Sequence, residues 1–224
     1  MTKQSKIAII GLGHIGTAVA TNLVKGARAI IVADRNIDKA KNFSQKLGSL
    51  AEPMEIATAI KAADIIVLAI WFDAIKEVLK QYKSELAGKI IVDPSNPIAP
   101  AENGGFKKTI GESESAGEII SNLLPKGARL AKALGTLGVA TLSGSAFQDP
   151  KNVLFYATDD MTINSEVDQL IRDSGFEPVR LGDISQSIRL EAFGEFHEFG
   201  ALGKTVTLSE TKKLLDAYRL SLRH

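Results

Sequence analysis

In the stretch IIGLGHIGTAVATNLVKG, the residues with chemical content are three glycines, Gly11, Gly13 and Gly16, spaced G-x-G-x-x-G. Such a loop can bring backbone amides against a diphosphate. Gly11 permits a tight turn, Gly13 keeps a Cβ away from the approaching phosphates, and Gly16 lets the next helix pack closely on the preceding strand. Free N–H groups and the positive end of that helix dipole would face the anion. Leu12, His14 and Ile15 complete the loop, and His14 reads as a neighbour of the pyrophosphate rather than an acid or base. Asp34 lies 18 residues beyond Gly16, close to the roughly 20 expected of an acid that reads the adenosine ribose. Asp34 favours NAD by accepting from a ribose 2′-OH. Arg35 favours NADP by gripping a 2′-phosphate, and Lys39, one helical turn on, either joins it or is a solvated helix charge.

These residues need particular elements to hold them. Residues 6–10 (KIAII), 29–33 (AIIVA), 64–70 (DIIVLAI) and 89–93 (KIIVD) are continuous apolar runs, as expected of strands buried on both faces. Helical patterns fall between them at 14–25, 37–47 with Gly48 as its C-cap, 55–63, and 72–86 ended by Gly88. Strand and helix in alternation predict an α/β fold, a Rossmann-type doubly wound, mostly parallel sheet with its ligand edge at the strand carboxyl ends. Residues 94–117, rich in Pro, Gly, Ser and Asn, read as a long functional loop or a surface excursion. Helix and strand signals resume at 119–124, 128–134, 152–158, 163–174 and 178–181, and 185–222 reads as mostly helical. The expected organisation is a single α/β domain over 1–224. It comprises a dinucleotide-binding core (1–134) and a smaller α/β lobe ending in helices (135–224).

Composition narrows the function classes. With 45% hydrophobic and 24% charged residues, the chain has material for a core and is not disordered. A net charge of +1 provides no global field for nucleic acid or an anionic membrane. The absence of cysteine excludes disulfides, thiolate catalysis and Cys-ligated metal. His14, His197 and His224 lack metal-ligand spacing, and no Ser-His-Asp, H-E-x-x-H or paired-carboxylate pattern occurs. MTKQSKIAIIGLG is unlike a signal peptide and no apolar run approaches about 20 residues, so a cytoplasmic protein is the expectation.

KIAIIGLGHIG, ADRNIDKA, IIVLAIWFDAIKEVL, GKIIVDPSNP, SAGEIISNLLPKGARLAKALGTLGVATL and IRDSGFEPVRLGDIS occur in this order between about residues 6 and 184. In these segments the chain resembles the NADPH-dependent reductases of coenzyme F420 and their bacterial dinucleotide-binding relatives. The resemblance implies direct hydride exchange between nicotinamide C4 and a flavin-like ring, with close stacking and no catalytic acid or base. It places Gly11 to Gly16 on the pyrophosphate and Arg35 and Lys39 on the 2′-phosphate. Ala69, Ile70 and Trp71 would lie along the nicotinamide, although Trp71 would also suit a core or helix-capping aromatic. Asn96 and Pro97 fall near the nicotinamide, with Asn96 able to bond a carboxamide or ribose or simply to form a turn. Gly135 and Thr136 would face the second coenzyme. The family commonly has a small hydroxyl residue at Asp34, proline at Ile70 and a larger polar residue at Gly135. A glycine there leaves room, so the expected hydride partner is F420 or FMN/FAD. Lys107, Lys108, Arg129 and Lys132 would attract a phosphate-bearing tail or serve only solvation.

Two other readings stand beside this one. An imine or small-molecule dehydrogenase would build its site with a dimer partner, because the 43 residues after Leu181 are too few for a large helical second domain. A non-catalytic NAD(P)-sensing module would bind the nucleotide with no open slot beside it. Gly194, Gly200 and Gly203 interrupt the expected terminal helices and suggest close approach by another helix or a ligand, here assigned to a homodimer contact.

Overall fold

The structure, a computed structural model, describes residues 4–221. The first half alternates strand and helix: β1 (Ile7–Ile10), α1 (His14–Lys25), β2 (Ile30–Ala33), α2 (Ile37–Leu47), β3 (Ala51–Pro53), α3 (Ile56–Ala62), β4 (Ile65–Leu68), α4 (Phe72–Gln81) and β5 (Ile90–Asp93). A small hairpin, β6 (Ile98–Pro100) and β7 (Phe106–Lys108), precedes α5 (Ala116–Ser121), β8 (Arg129–Lys132) and α6 (Val139–Gly144). The chain then forms β9 (Val153–Ala157), α7 (Asn164–Asp173), β10 (Glu177–Gly182), the single turn α8 (Ser187–Leu190) and α9 (Leu208–Ser221).

Eight strands form one sheet in the order β10-β9-β8-β5-β4-β1-β2-β3. Every pairing is parallel except β8 with β9, which meet through the single pair Lys132 and Ala157. The Thr158 hydroxyl reinforces that seam by donating to the Leu130 carbonyl at 2.7 Å. All four residues of β1, β2, β4 and β5 are buried, the outcome expected of apolar strands with helices on both faces. Ile7, Ile9, Val32, Val67 and Val92 face one core layer with Val19 and Leu23 of α1. Ala8, Ile10, Ile66, Leu68 and Ile91 face the other, with Ile60, Ile75 and Ile120. The Rossmann-type fold expected from the sequence is the fold observed. Among the described residues, no helix is long and apolar enough to cross a membrane, and no group of three or more side chains is placed to hold a metal.

Several boundaries and one whole segment differ from expectation. β4 stops at Leu68 and α4 at Gln81, both earlier than their apolar runs suggest. β3 and the β6–β7 hairpin lack a readable signal because three-residue edge strands carry too little periodicity. The expectation of mostly helix over 185–222 is overturned: between α8 and α9 the chain is a series of turns. Two of the glycines there, Gly194 and Gly200, serve close approaches within the chain, whereas Gly203 stands in open space at φ 66°. A Cβ on Gly194 would collide with the Ile188 carbonyl, and one on Gly200 with the Gly194 carbonyl. Gly194 and Gly200 therefore give no support to a dimer contact. His224 and the end of the expected terminal helix lie outside the described residues.

Because β1, β2, β4, β5 and β8 run the same way, the loops that follow them share one edge of the sheet. Residues 11–13, 34–36, 69–71, 94–97 and 133–138 collect there.

Candidate functional site

The glycine loop has the geometry its spacing implies. Gly11 adopts φ 95°, a left-handed conformation, and donates its N–H to the Ala33 carbonyl at 2.8 Å. A Cβ at Gly11 would meet Ile70 Cγ2 and lie 2.6 Å from the Ala69 carbonyl, and one at Gly16 would overlap the Gly11 carbonyl. Gly13 differs, for a Cβ there would meet nothing within 4 Å. Its smallness answers to no protein neighbour, which fits a cradle for a group that comes from outside. Gly13 caps α1 without a side-chain hydrogen bond, and the first turn holds no acidic residue. The positive helix end therefore remains open to an anion. His14 is exposed and Ile15 half-buried in this turn.

Asp34, nearly buried, is gripped from three sides. It accepts from the Leu12 N–H at 2.9 Å, the Asn36 N–H at 3.1 Å and Lys39 Nζ at 3.3 Å. Burial alone would raise its carboxyl, but the two amides and the ammonium outweigh it and hold the group below the ordinary carboxylate range. Asp34 thus joins the glycine loop to the end of β2. Arg35 beside it is exposed. A cleft of about 440 Å³ opens between α1 and α2, lined by Thr17, Asn36, Asp38, Lys39, Asn42 and Lys46 among others.

On the far side of the loop, Ala69 and Ile70 are the residues that close against Gly11 and Gly16. Trp71 occupies the N-cap position of α4 but makes no side-chain cap bond, and it is 68% exposed. Neither a core nor a capping role describes it. Asn96 does not end in an idle turn. Its Nδ2 donates to the Gly135 carbonyl at 3.1 Å, and its Oδ1 accepts from the Ala192 N–H at 2.6 Å. Pro97 is buried at the start of the hairpin, its carbonyl accepting from the Thr109 N–H at 2.8 Å.

Gly135 is not a gap left for a ligand, because a Cβ there would collide with the Pro94 carbonyl. That contact brings the β5 and β8 loops together. Thr136 is buried, and its hydroxyl has no hydrogen-bond partner within the protein. The expectation for the basic residues is corrected at three positions. Lys132 is buried, with Nζ 2.8 Å from Asp93 and 3.7 Å from Glu191, and it also donates to the Ser95 carbonyl. Arg129 sits at the opposite end of β8 and donates to the Gly88 carbonyl. Lys108 donates to the Glu112 and Glu114 carbonyls. Lys107 remains exposed on the hairpin.

A group of polar residues escapes sequence reasoning altogether. The Glu191 carboxylate accepts from the Ala116 and Gly117 N–H groups at 2.9 Å each, and burial pushes its carboxyl up against the pull of Lys132 and those amides. His197 is buried and driven down to about 4, burial outweighing its bond to the Gly135 carbonyl. It is therefore neutral at pH 7, with Nδ1 accepting from the Phe199 N–H at 2.9 Å. Glu198 accepts from the Gly138 N–H at 2.6 Å and from the Thr141 hydroxyl. Only Lys132 had a usable signal, a charge inside an apolar strand.

A parallel sheet with this strand order, a Gly11–Gly16 cradle at its switch point and an acid at the end of β2 define a Rossmann-type dinucleotide-binding protein. Residues 6–97 match the family described as NADP oxidoreductase, coenzyme F420-dependent. Over that span the chain is similar to this family of NADP-dependent oxidoreductases. The chain is 26% identical over 187 residues to the metalloreductase STEAP3 of Rattus norvegicus, covering 84% of this chain and 36% of that protein. It is 25% identical over 198 residues to the F420-dependent NADP reductase of Methanocaldococcus jannaschii, covering 84% and 88%. Among solved structures, the hypothetical protein SMa0349 of Sinorhizobium meliloti superposes with a TM-score of 0.78 at 28% identity, covering 91% of this chain and 96% of that one. The chain thus spans about a third of the metalloreductase and nearly all of the reductase.

Proposed function

We propose that this protein transfers a hydride between NADP and a planar, flavin-like acceptor, coenzyme F420 or FMN/FAD. The observation that carries this reading is the pairing of an unobstructed Gly13 cradle with an exposed Trp71, two strands' ends that share one edge. NADP, when bound, supplies a hydride at nicotinamide C4. The residues of the chain do the rest by holding and orienting. The amides of residues 13–16 take the pyrophosphate, and Ala69, Ile70 and Trp71 wall the nicotinamide side. Preference for NADP over NAD rests on Arg35, with Lys39 and Lys46 on the neighbouring cleft. The hold of Leu12, Asn36 and Lys39 on Asp34 leaves that carboxylate occupied, so it weighs less against a 2′-phosphate. No side chain serves as catalytic acid or base.

Calorimetry with NADP and NAD, followed by stopped-flow mixing of the NADPH complex with F420, FMN and FAD, tests the reading. Tighter binding of NADP and rapid loss of nicotinamide absorbance with at least one acceptor are expected. Tight nucleotide binding with no acceptor reduced would favour a sensor instead. Arg35→Ala should weaken NADP by roughly tenfold or more while leaving NAD nearly unchanged, as loss of a charge-assisted phosphate contact predicts. Equal loss for both nucleotides would contradict the assignment. Leu208 and Leu214 of α9 are partly exposed, and we place a homodimer contact there; sedimentation as a monomer at micromolar concentration would remove it.

A further inference from the structure

The turns after α8 form a strap laid across the loops that follow β5 and β8. Its polar ties are to those loops and to the start of α5. Glu191 holds Ala116 and Gly117, the Ala192 N–H binds Asn96, and the Glu198 N–H binds the Thr136 carbonyl at 2.9 Å. Glu198 further caps the start of α6 through Gly138 and Thr141. A segment anchored at so many points has the direction of its outward Cα–Cβ bonds fixed.

Two of those outward side chains are aromatic. Phe193 is 50% exposed and Phe199 58% exposed. Phe193 sits at φ 71°, a left-handed conformation that costs a bulky residue on the order of 1–2 kcal/mol. Leu134, next to Gly135, is also left-handed at φ 66°. Non-glycine residues held this way gather at ligand clamps more often than in plain connections. Phe199 is seated as well: its ring lies 5.4 Å from that of His197, and a Cβ on Gly138 would press within 3.0 Å of it. Phe193 follows Ala192, whose N–H binds Asn96, and the Phe199 ring lies against Gly138, so both border the loops that follow β5 and β8. The buried Thr136 hydroxyl, without a protein partner, adds polar bonding capacity at the same place.

We infer that the strap is the wall of the acceptor site, with Phe193 and Phe199 selecting a planar conjugated ring as the hydride partner. This rests on the proposed transfer to a flavin-like acceptor. The rings would stack on or abut the acceptor, and the strap's anchors keep them from collapsing into the site when it is empty.

The test compares the whole protein with the Phe193→Leu/Phe199→Leu and Phe193→Ser/Phe199→Ser pairs. NADPH affinity serves as the check that the variants fold. The expected result is unchanged NADPH affinity with a KM for the acceptor raised about tenfold or more, the scale of lost aromatic stacking. If the serine pair loses NADPH binding, the leucine pair, which keeps apolar bulk, decides the matter. A wild type that reduces F420, FMN or FAD while both pairs keep its acceptor KM would overturn the strap assignment alone. A wild type that binds NADPH and reduces none of the three would overturn the proposed reaction and this inference together. Unchanged acceptor KM with a dimer lost in both pairs would assign these rings to contact between copies.

Discussion

Gly13 and Gly16 are separated by one helical turn, and they fail in different ways when a methyl is added. At Gly16 the added Cβ would overlap the Gly11 carbonyl, so Gly16→Ala should cost the fold about 1–3 kcal/mol through overpacking. At Gly13 the space is open, so Gly13→Ala should change stability by no more than about 1 kcal/mol, the usual cap effect, yet weaken NADP strongly. Thermal unfolding and calorimetry on the two variants check the contrast; equal behaviour would remove the cradle argument. His197 gives a second prediction at this scale. Its folded pKa is about 4 against 6.5, so the unfolded chain binds more protons between those values and stability falls as the pH drops through that window. The loss is on the order of 3 kcal/mol, and His197→Gln should flatten it in urea titrations at pH 4.5 and 7. The raised carboxyl of Glu191 acts in the opposite sense but is common to both proteins, so it largely cancels in the comparison.

Between elements, the decisive joint is the buried set of Lys132, Asp93 and Glu191, one residue each from the ends of β8 and β5 and the start of the strap. Removing the ammonium leaves two carboxylates in an apolar setting, so Lys132→Met should destabilise by about 3–5 kcal/mol. Adding Asp93→Asn and Glu191→Gln to that variant should recover part of the loss, since no uncompensated charge then remains. The midpoint of urea denaturation is the measurement. A Lys132→Met midpoint equal to wild type would show that the ion cluster contributes nothing to joining the three elements. Asn96 makes a parallel tie through neutral groups, and the two together explain why the strap lies where it does.

For the molecule as a whole, binding at the carboxyl edge should raise stability by mass action. NADP at a hundred times its Kd should add about 2.7 kcal/mol, which for a chain of this size raises Tm by roughly 5–10 °C. NAD at the same concentration should raise it less, and a larger shift with NAD would reverse the assignment of Arg35. Much of the architecture behind this edge was legible in advance. β1, β2, β4 and β5 are each buried on both faces, so each is an unbroken apolar run that no amphipathic pattern disguises. The G-x-G-x-x-G turn was legible because it sits at a strand–helix junction, whereas the contact of Gly11 with Ala69 and Ile70 needs β1 and β4 paired. Asp34 was placed correctly at the strand end, but its grip on Leu12 could not be foreseen, since it needs two chain segments brought together by β1–β2 pairing.

From the order of its residues alone, this chain determined a doubly wound sheet and a glycine-built turn at its first crossover, because continuous apolar strands and a strand–glycine–helix junction are local properties. Tertiary structure alone decided that the segment after α8 is a strap rather than helices, that Lys132 is a buried joint rather than a lure for phosphate, and that the Cβ side of Gly135 closes on Pro94. In each case the partner lies far along the chain, and only the closed fold sets the distance between them.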